Sequence, residues 1–194
     1  MLPLSTPADA AGDQNESPAA RALIVGDSTA SQWRAAWRSS AVRDALNLGK
    51  AGSRPSESVG WLARKRIAYA EVRTIVVSTG TNSLATDTPP EIARAIFRLA
   101  DWLREKAPQA KIALLTVTPR GEGLASYAEQ IAALNGILSA NADRHGYHLV
   151  DTHSAFSSRC RVVGRCPLYQ RDNLHYTRLG YHVIGELVDR ALGV

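Results

Sequence analysis

Four groups of polar residues along this 194-residue chain have the types and order that nucleophilic acyl chemistry needs. Ser28 ends the stretch Ala22-Leu23-Ile24-Val25-Gly26-Asp27-Ser28, where an apolar run stops at a glycine, an acid and a hydroxyl. A serine hydroxyl is a weak nucleophile until a base takes its proton, and that base needs a partner to orient it. His175 and Asp172, three residues apart before the last helical segment, can fill those two roles. The oxyanion formed on attack needs fixed hydrogen-bond donors. The backbone N–H groups of Ser28 and Gly52 and the side-chain amide of Asn82 would supply three. Each piece alone has a plainer explanation. Ser28 could be a helix N-cap, Gly49 and Gly52 a tight turn, Asn82 a loop cap and His175 a structural histidine. Those explanations are independent of one another, whereas the chemistry requires all four groups at one edge of one fold.

The elements between these groups say whether such an edge exists. Strand-like segments are expected at residues 21–26, 45–48, 73–79, 111–117 and 147–150, each rich in apolar or β-branched residues. Helical patterns fall at 30–43, from Ser56 to Tyr69, from Pro89 to Lys106, from Ser126 to His145, and at 178–191. Thr88-Pro89-Pro90-Glu91 and Ser126-Tyr127-Ala128-Glu129 both read as capping boxes. Residues 152–175 read as irregular. Strand alternating with helix five times predicts a three-layer α/β/α fold around a five-stranded parallel sheet. The flavodoxin-like order 2-1-3-4-5 is expected, with ligands at the carboxyl ends of the strands and a switch point between strands one and three. Ser28 follows the first of those strands and Asn82 the third.

Composition sets outer bounds. An apolar fraction of 45% and a charged fraction of 21% describe a globular chain, and its length suits one domain, residues 21–194. Residues 1–20 are small and polar and read as a disordered leader, either a linker or what remains after a signal peptide is cut. No apolar run approaches the roughly 20 residues of a membrane span. The formal charge of +5 comes almost wholly from arginines scattered along helices, which argues against nucleic acid. Arg159, Arg161, Arg165, Arg171 and Arg178 are more concentrated and suit either solvent or an anionic glycan. Cys160 and Cys166 lack zinc-site spacing, so they are either two free thiols or a small local disulfide, the latter implying an oxidising, extracytoplasmic compartment. No metal, no cofactor and a monomer are expected.

The blocks Gly26-Asp27-Ser28, Asn47-x-Gly49-x-x-Gly52, Gly80-Thr81-Asn82 and Asp172-x-x-His175 together resemble the four sequence blocks of the SGNH, or GDSL-type, hydrolases. The likeness covers about residues 21–190. It implies a flavodoxin-like esterase with Ser28 as nucleophile, Ser28, Gly52 and Asn82 around the oxyanion, and His175 as base oriented by Asp172. Two departures stand out: Ser83 replaces a frequent Asp after Asn82, and Thr29-Ala30 replaces the commoner Leu-Ser. The stretches Leu115 to Gly121 and Asp172 to Tyr181 are similar to the acetylhydrolase branch, and the Cys160–Cys166 loop to SGNH domains that modify bacterial glycans. Both likenesses imply a short acyl group on a small-molecule or glycan alcohol. A lysophospholipase- or thioesterase-like enzyme, an O-acyltransferase and a glycan-binding module are the other readings. Within the pocket, the loop Thr118 to Gly123 would form a wall and Arg120 would touch substrate. Asp151 with His153 is a weaker second pair without a serine, and Asp27 is expected to stabilise its turn.

Overall fold

The computed structural model describes residues 20–160 and 165–194; residues 1–19 of the expected leader, and Arg161, lie outside that range. Five strands, β1 (Ala22–Gly26), β2 (Leu46–Gly49), β3 (Thr74–Ser78), β4 (Lys111–Leu115) and β5 (His148–Val150), form one sheet in the order β2-β1-β3-β4-β5. Every pairing is parallel. The expected topology is therefore observed. Gly26 pairs with Gly49 on one side and Ser78 on the other, so β2, β1 and β3 end flush.

Side-chain alternation explains why these strands are apolar almost throughout, since a parallel sheet covered on both faces has no polar side. Leu23, Val25, Ile75, Val77, Ile112 and Leu114 face one helical layer. That layer contains α2 (Pro55–Leu62), α3 (Pro89–Lys106) and α4 (Ala128–Ala140), packed through residues such as Leu62, Ile96, Leu99, Ile131 and Leu134. Ile24, Val76, Ala113, Leu115 and Val150 face the other, against Trp33, Phe156 of α6 (Thr152–Arg159), and Tyr181, Ile184 and Val188 of α7 (Arg178–Leu192). A short α1 (Ser28–Ser31) follows β1, and α5 (Ala142–His145) follows α4. Among the described residues no helix is long and apolar enough to cross a membrane. No cluster of three or more His, Cys, Asp or Glu is placed to hold a metal ion among those residues.

Four expectations need correction. The helix expected at 30–43 stops at Ser31, and 3₁₀ turns follow at Ala35–Trp37 and Ser40–Val42. Asn47 is the reason: its Nδ2 donates to the carbonyls of Ala30 (2.9 Å) and Trp33 (3.1 Å), which a continuing helix would use. The bent path also brings Trp33 and Trp37 both onto Tyr181, each at 5.8 Å. Ser126 does not cap α4, because Tyr127 precedes that helix with φ of 61°, a left-handed conformation at odds with a capping box. The helix from Ser56 begins at Pro55 and ends at Leu62. Finally, residues 152–159 are helical rather than irregular, with the Asp151 carboxylate accepting from Ser154 N at 2.9 Å as N-cap.

Candidate active site

Asp27 organises the turn that carries Ser28. Its Oδ1 accepts from Thr29 N (2.9 Å) and Thr29 Oγ1 (2.8 Å), capping α1, and the Thr29 hydroxyl contacts Ser78 Oγ at 2.7 Å. Gly26 is obligatory just before it: a Cβ there would lie 1.8 Å from Ser78 O, and its φ is +148°. Ser28 thus leaves the sheet at its tightest point, as the first residue of a helix whose opening N–H groups have no intrahelical acceptor.

The chain reaches this turn again from its far end. Tyr169 and Tyr176 form an antiparallel bridge, and Gln170 N donates to His175 O at 2.7 Å, so residues 170–175 make a closed turn. Gln170 Nε2 also holds Tyr176 O (2.9 Å) and Gln32 Oε1 (3.1 Å), tying the turn to the chain just after Ser28. Asp172 Oδ1 accepts from Leu174 N and His175 N, each at 3.0 Å. Its Oδ2 lies 2.6 Å from His175 Nδ1, and His175 Nε2 lies 2.9 Å from Ser28 Oγ. Ser28, His175 and Asp172 therefore stand in one hydrogen-bonded line. Cys160 and Cys166 are joined by a disulfide on the segment leading to this turn.

The turns after β2 and β3 close the other side. Lys50 N and Ser53 Oγ both reach Gly26 O, at 2.8 and 3.3 Å, which fastens the Gly49–Ser53 turn to the end of β1. Gly52 is exposed with φ of +75°, and among the described residues its N–H makes no hydrogen bond. Asn82 Nδ2 donates to Ser53 O at 3.0 Å, so the amide's second hydrogen remains for a ligand. Ser83, where the resemblance often has Asp, is fully buried, and among the described residues its hydroxyl has no partner. Arg120 sits beside this turn, its Nη1 donating to Thr81 O and Thr81 Oγ1 at 2.8 Å each.

Two carboxylates near Ser28 have opposite electrostatics. Burial pushes Asp27 up to about 6, outweighing the Thr29 hydrogen bonds and the charges of His175 and Arg120. Its Oδ2 has no partner among the described residues, at a cavity of about 10 Å³ shared with Thr79, Thr81, Thr116, Thr118 and Tyr176. That is room for about one water. Partial burial acts upward on Asp172 as well. There the hydrogen bonds from the His175 ring and from the His175 and Leu174 N–H groups prevail, and its carboxyl is held below its ordinary value.

The weaker pair, Asp151 and His153, does not meet: Asp151 caps α6, and His153 Nδ1 lies 3.1 Å from Val117 O. His145 contacts Asp101, with Nδ1 3.0 Å from both carboxylate oxygens, and stacks on Phe97 at 4.2 Å. Sequence reasoning missed the tethers, namely Gln170, Ser53 and the Tyr169–Tyr176 bridge. Their only signal was a cluster of tyrosines around the Asp-x-x-His block.

The family model described as "GDSL-like Lipase/Acylhydrolase family" matches residues 17–183. Platelet-activating factor acetylhydrolase IB subunit alpha2 of Homo sapiens is 29% identical over 163 residues, covering 82% of this chain and 70% of that protein. The alpha1 subunit of Homo sapiens is 26% identical over 138 residues, 71% of this chain, so the match spans only 58% of that relative's length. An acetylxylan esterase of Geobacillus stearothermophilus shares the fold, with a TM-score of 0.67 at 15% identity over 90% of this chain and 94% of that one. With a family match that runs from before β1 to within α7, the chain belongs to the GDSL-like lipase/acylhydrolase family.

Proposed function

We propose that this protein is a serine esterase that removes short acyl groups, acetyl above all, from carbohydrate or glycan esters. The observation that carries the reading is the line from Ser28 Oγ through His175 to Asp172, at 2.9 and 2.6 Å. In this reading Ser28 Oγ attacks the ester carbonyl while His175 Nε2 takes its proton. Asp172 holds the imidazole through Nδ1 and stabilises the imidazolium that forms. The Ser28 and Gly52 N–H groups and the Asn82 amide donate to the carbonyl oxygen as it becomes an oxyanion. Collapse of this intermediate breaks the ester C–O bond, and the imidazolium protonates the departing alcohol. Water then adds to the acyl-serine with His175 as base, and breakdown of that second intermediate releases the carboxylic acid and restores Ser28.

The acyl assignment draws on two relatives named for acetyl chemistry, the acetylhydrolase subunits and the acetylxylan esterase. Their alcohols differ, so the alcohol is argued from this chain. Arg171 and Arg178 flank the Asp172–His175 turn and are exposed, which suits a polar or anionic glycan. The disulfide supports an extracytoplasmic location.

Hydrolysis of p-nitrophenyl esters of increasing acyl length tests the reading, with Ser28→Ala as control. The expected result is a steep fall in kcat/KM beyond about four carbons and no turnover by the variant. A rise toward eight carbons would favour a lysophospholipase- or thioesterase-like enzyme, and undiminished turnover by Ser28→Ala would end the serine-esterase reading. Acetylated oligosaccharides in the same panel, with deacetylation followed by mass spectrometry, test the alcohol.

A further inference from the structure

Four consecutive residues after β4 each grip a different part of the site. Thr118 Oγ1 meets Tyr176 OH at 3.0 Å, and Pro119 O accepts from Tyr169 OH at 2.5 Å. Arg120 Nη1 donates to both oxygens of Thr81, and Gly121 N donates to Asn173 O at 2.9 Å. The segment is thus a bracket. Its two arms reach the turn that carries Asn82 and the turn that carries Asp172 and His175.

The Asn82 side depends on the Arg120 arm for part of its support. Thr81–Ser83 is a single 3₁₀ turn entered through Gly80, and a single turn is weakly held by its own hydrogen bonds. Among the described residues Ser83 contributes no side-chain bond to it. Two tethers from elsewhere in the chain therefore fix the amide: Asn82 to Ser53 O, and Arg120 to Thr81. Arg120 is itself immobilised. Ser126 N closes back onto Arg120 O at 3.0 Å, and the Tyr127 ring lies 5.7 Å from the guanidinium. Gly121, with φ of +75°, lies so close to Ser126 that a Cβ would fall 2.1 Å from its hydroxyl. Arg120 Nη1 is thus spent on two protein oxygens while the guanidinium is held from behind, so this arm of the side chain serves the Thr81–Ser83 turn.

We propose that Arg120 is a positioning residue that sets Asn82 at the oxyanion site, rather than the substrate contact expected from its place in the pocket wall. The proposal rests on the esterase reading above, so its test must separate the two. Steady-state kinetics with p-nitrophenyl acetate would be measured for the full chain and for Arg120→Ala, Asn82→Ala and the double variant. Arg120→Ala should lower kcat by about 10- to 100-fold, the scale expected when a catalytic group shifts by about an ångström, with KM nearly unchanged. In the Asn82→Ala background the same change should cost less than about twofold, because the amide it positions is gone. Arg120→Lys should recover part of kcat by reaching one of the two Thr81 oxygens, and it replaces Arg120→Ala in the cycle if the alanine variant does not fold.

A rise in KM with kcat unchanged would overturn the proposal in favour of substrate contact. Fully additive losses would overturn it by showing that Arg120 acts independently of Asn82. Ser28→Ala runs alongside: undiminished turnover there sinks the esterase reading, whereas a severely impaired Ser28→Ala leaves the Arg120 results to judge the positioning role alone.

Discussion

Asp27 and Asp172 lie on either side of the same serine–histidine pair, yet the fold makes opposite groups of them. Asp27 is adjacent to Ser28 in sequence and fully buried, with one oxygen bonded twice to Thr29 and the other without a partner among the described residues. Asp172 is 144 positions away from Ser28 in sequence, nearly half exposed, and engages both oxygens with His175 or the backbone of its own turn. Proximity in sequence would favour Asp27 as the acid of the site. Geometry favours Asp172, whose Oδ2 lies 2.6 Å from His175 Nδ1 and whose hydrogen bonds favour its ionised form, whereas Asp27 engages Thr29 and burial pushes it up to about 6. Asp27 shapes the turn from below while Asp172 acts from the open side.

Replacing each carboxylate by its amide is the sharpest way to break this comparison. Asp172→Asn should lower kcat by about 10³- to 10⁴-fold, because an amide no longer holds the imidazole in the tautomer that can accept the serine proton. Asp27→Asn should lower kcat far less, since its oxygen can still accept from Thr29 N. Equal losses from the two substitutions would mean that Asp27 shares in the proton chemistry. Steady-state kinetics on one aryl acetate reads both.

The next effect in size belongs to the far side of the site. Asn82→Ala should reduce kcat by about 10²- to 10³-fold, the cost of one oxyanion donor, with KM little moved. A change confined to KM would make Asn82 a binding group.

The smallest effect is on stability and has an unusual sign. The Asp27 pKa is raised from 3.8 to about 6 in the folded chain, so the native state retains a proton that the unfolded chain has released between those values. Well below pH 3.8 both states are protonated and Asp27 costs nothing. As pH rises through that window the native state loses up to about 3 kcal/mol, and above pH 6 the cost is constant. Asp27→Asn should therefore be more stable than the parent at pH 7, with the advantage vanishing well below pH 3.8. Urea unfolding of both proteins at pH 3.5 and 7 would show it. An advantage that does not change with pH would contradict a buried, proton-retaining carboxyl.

What the chain discloses in advance follows the same division between local and distant causes. Strands β1 and β3 are legible because a strand covered on both faces is apolar without interruption, and the Ser28, Gly52 and Asn82 blocks follow the ends of β1, β2 and β3. The extent of α1 is not, because Asn47 takes the Ala30 carbonyl from 17 positions away. The task of Arg120 is hidden likewise, since its partner Thr81 is 39 positions distant and no local pattern links them. Ser126 illustrates a local signal overruled: the capping box is present in sequence, but the left-handed Tyr127 and the close approach of Gly121 give that serine another neighbour. Periodicity reports burial, and burial positions the strands. Side-chain tethers to distant carbonyls do the final placement of the site.

The central claim is that Ser28 is the nucleophile activated by the His175–Asp172 line. Covalent trapping tests it most directly: the intact chain is treated with a fluorophosphonate, digested, and mapped by mass spectrometry. The account predicts a single phosphonyl adduct on Ser28, strongly slowed in His175→Ala and absent in Ser28→Ala. An adduct on another residue, or labelling of Ser28 at the same rate without His175, would contradict it.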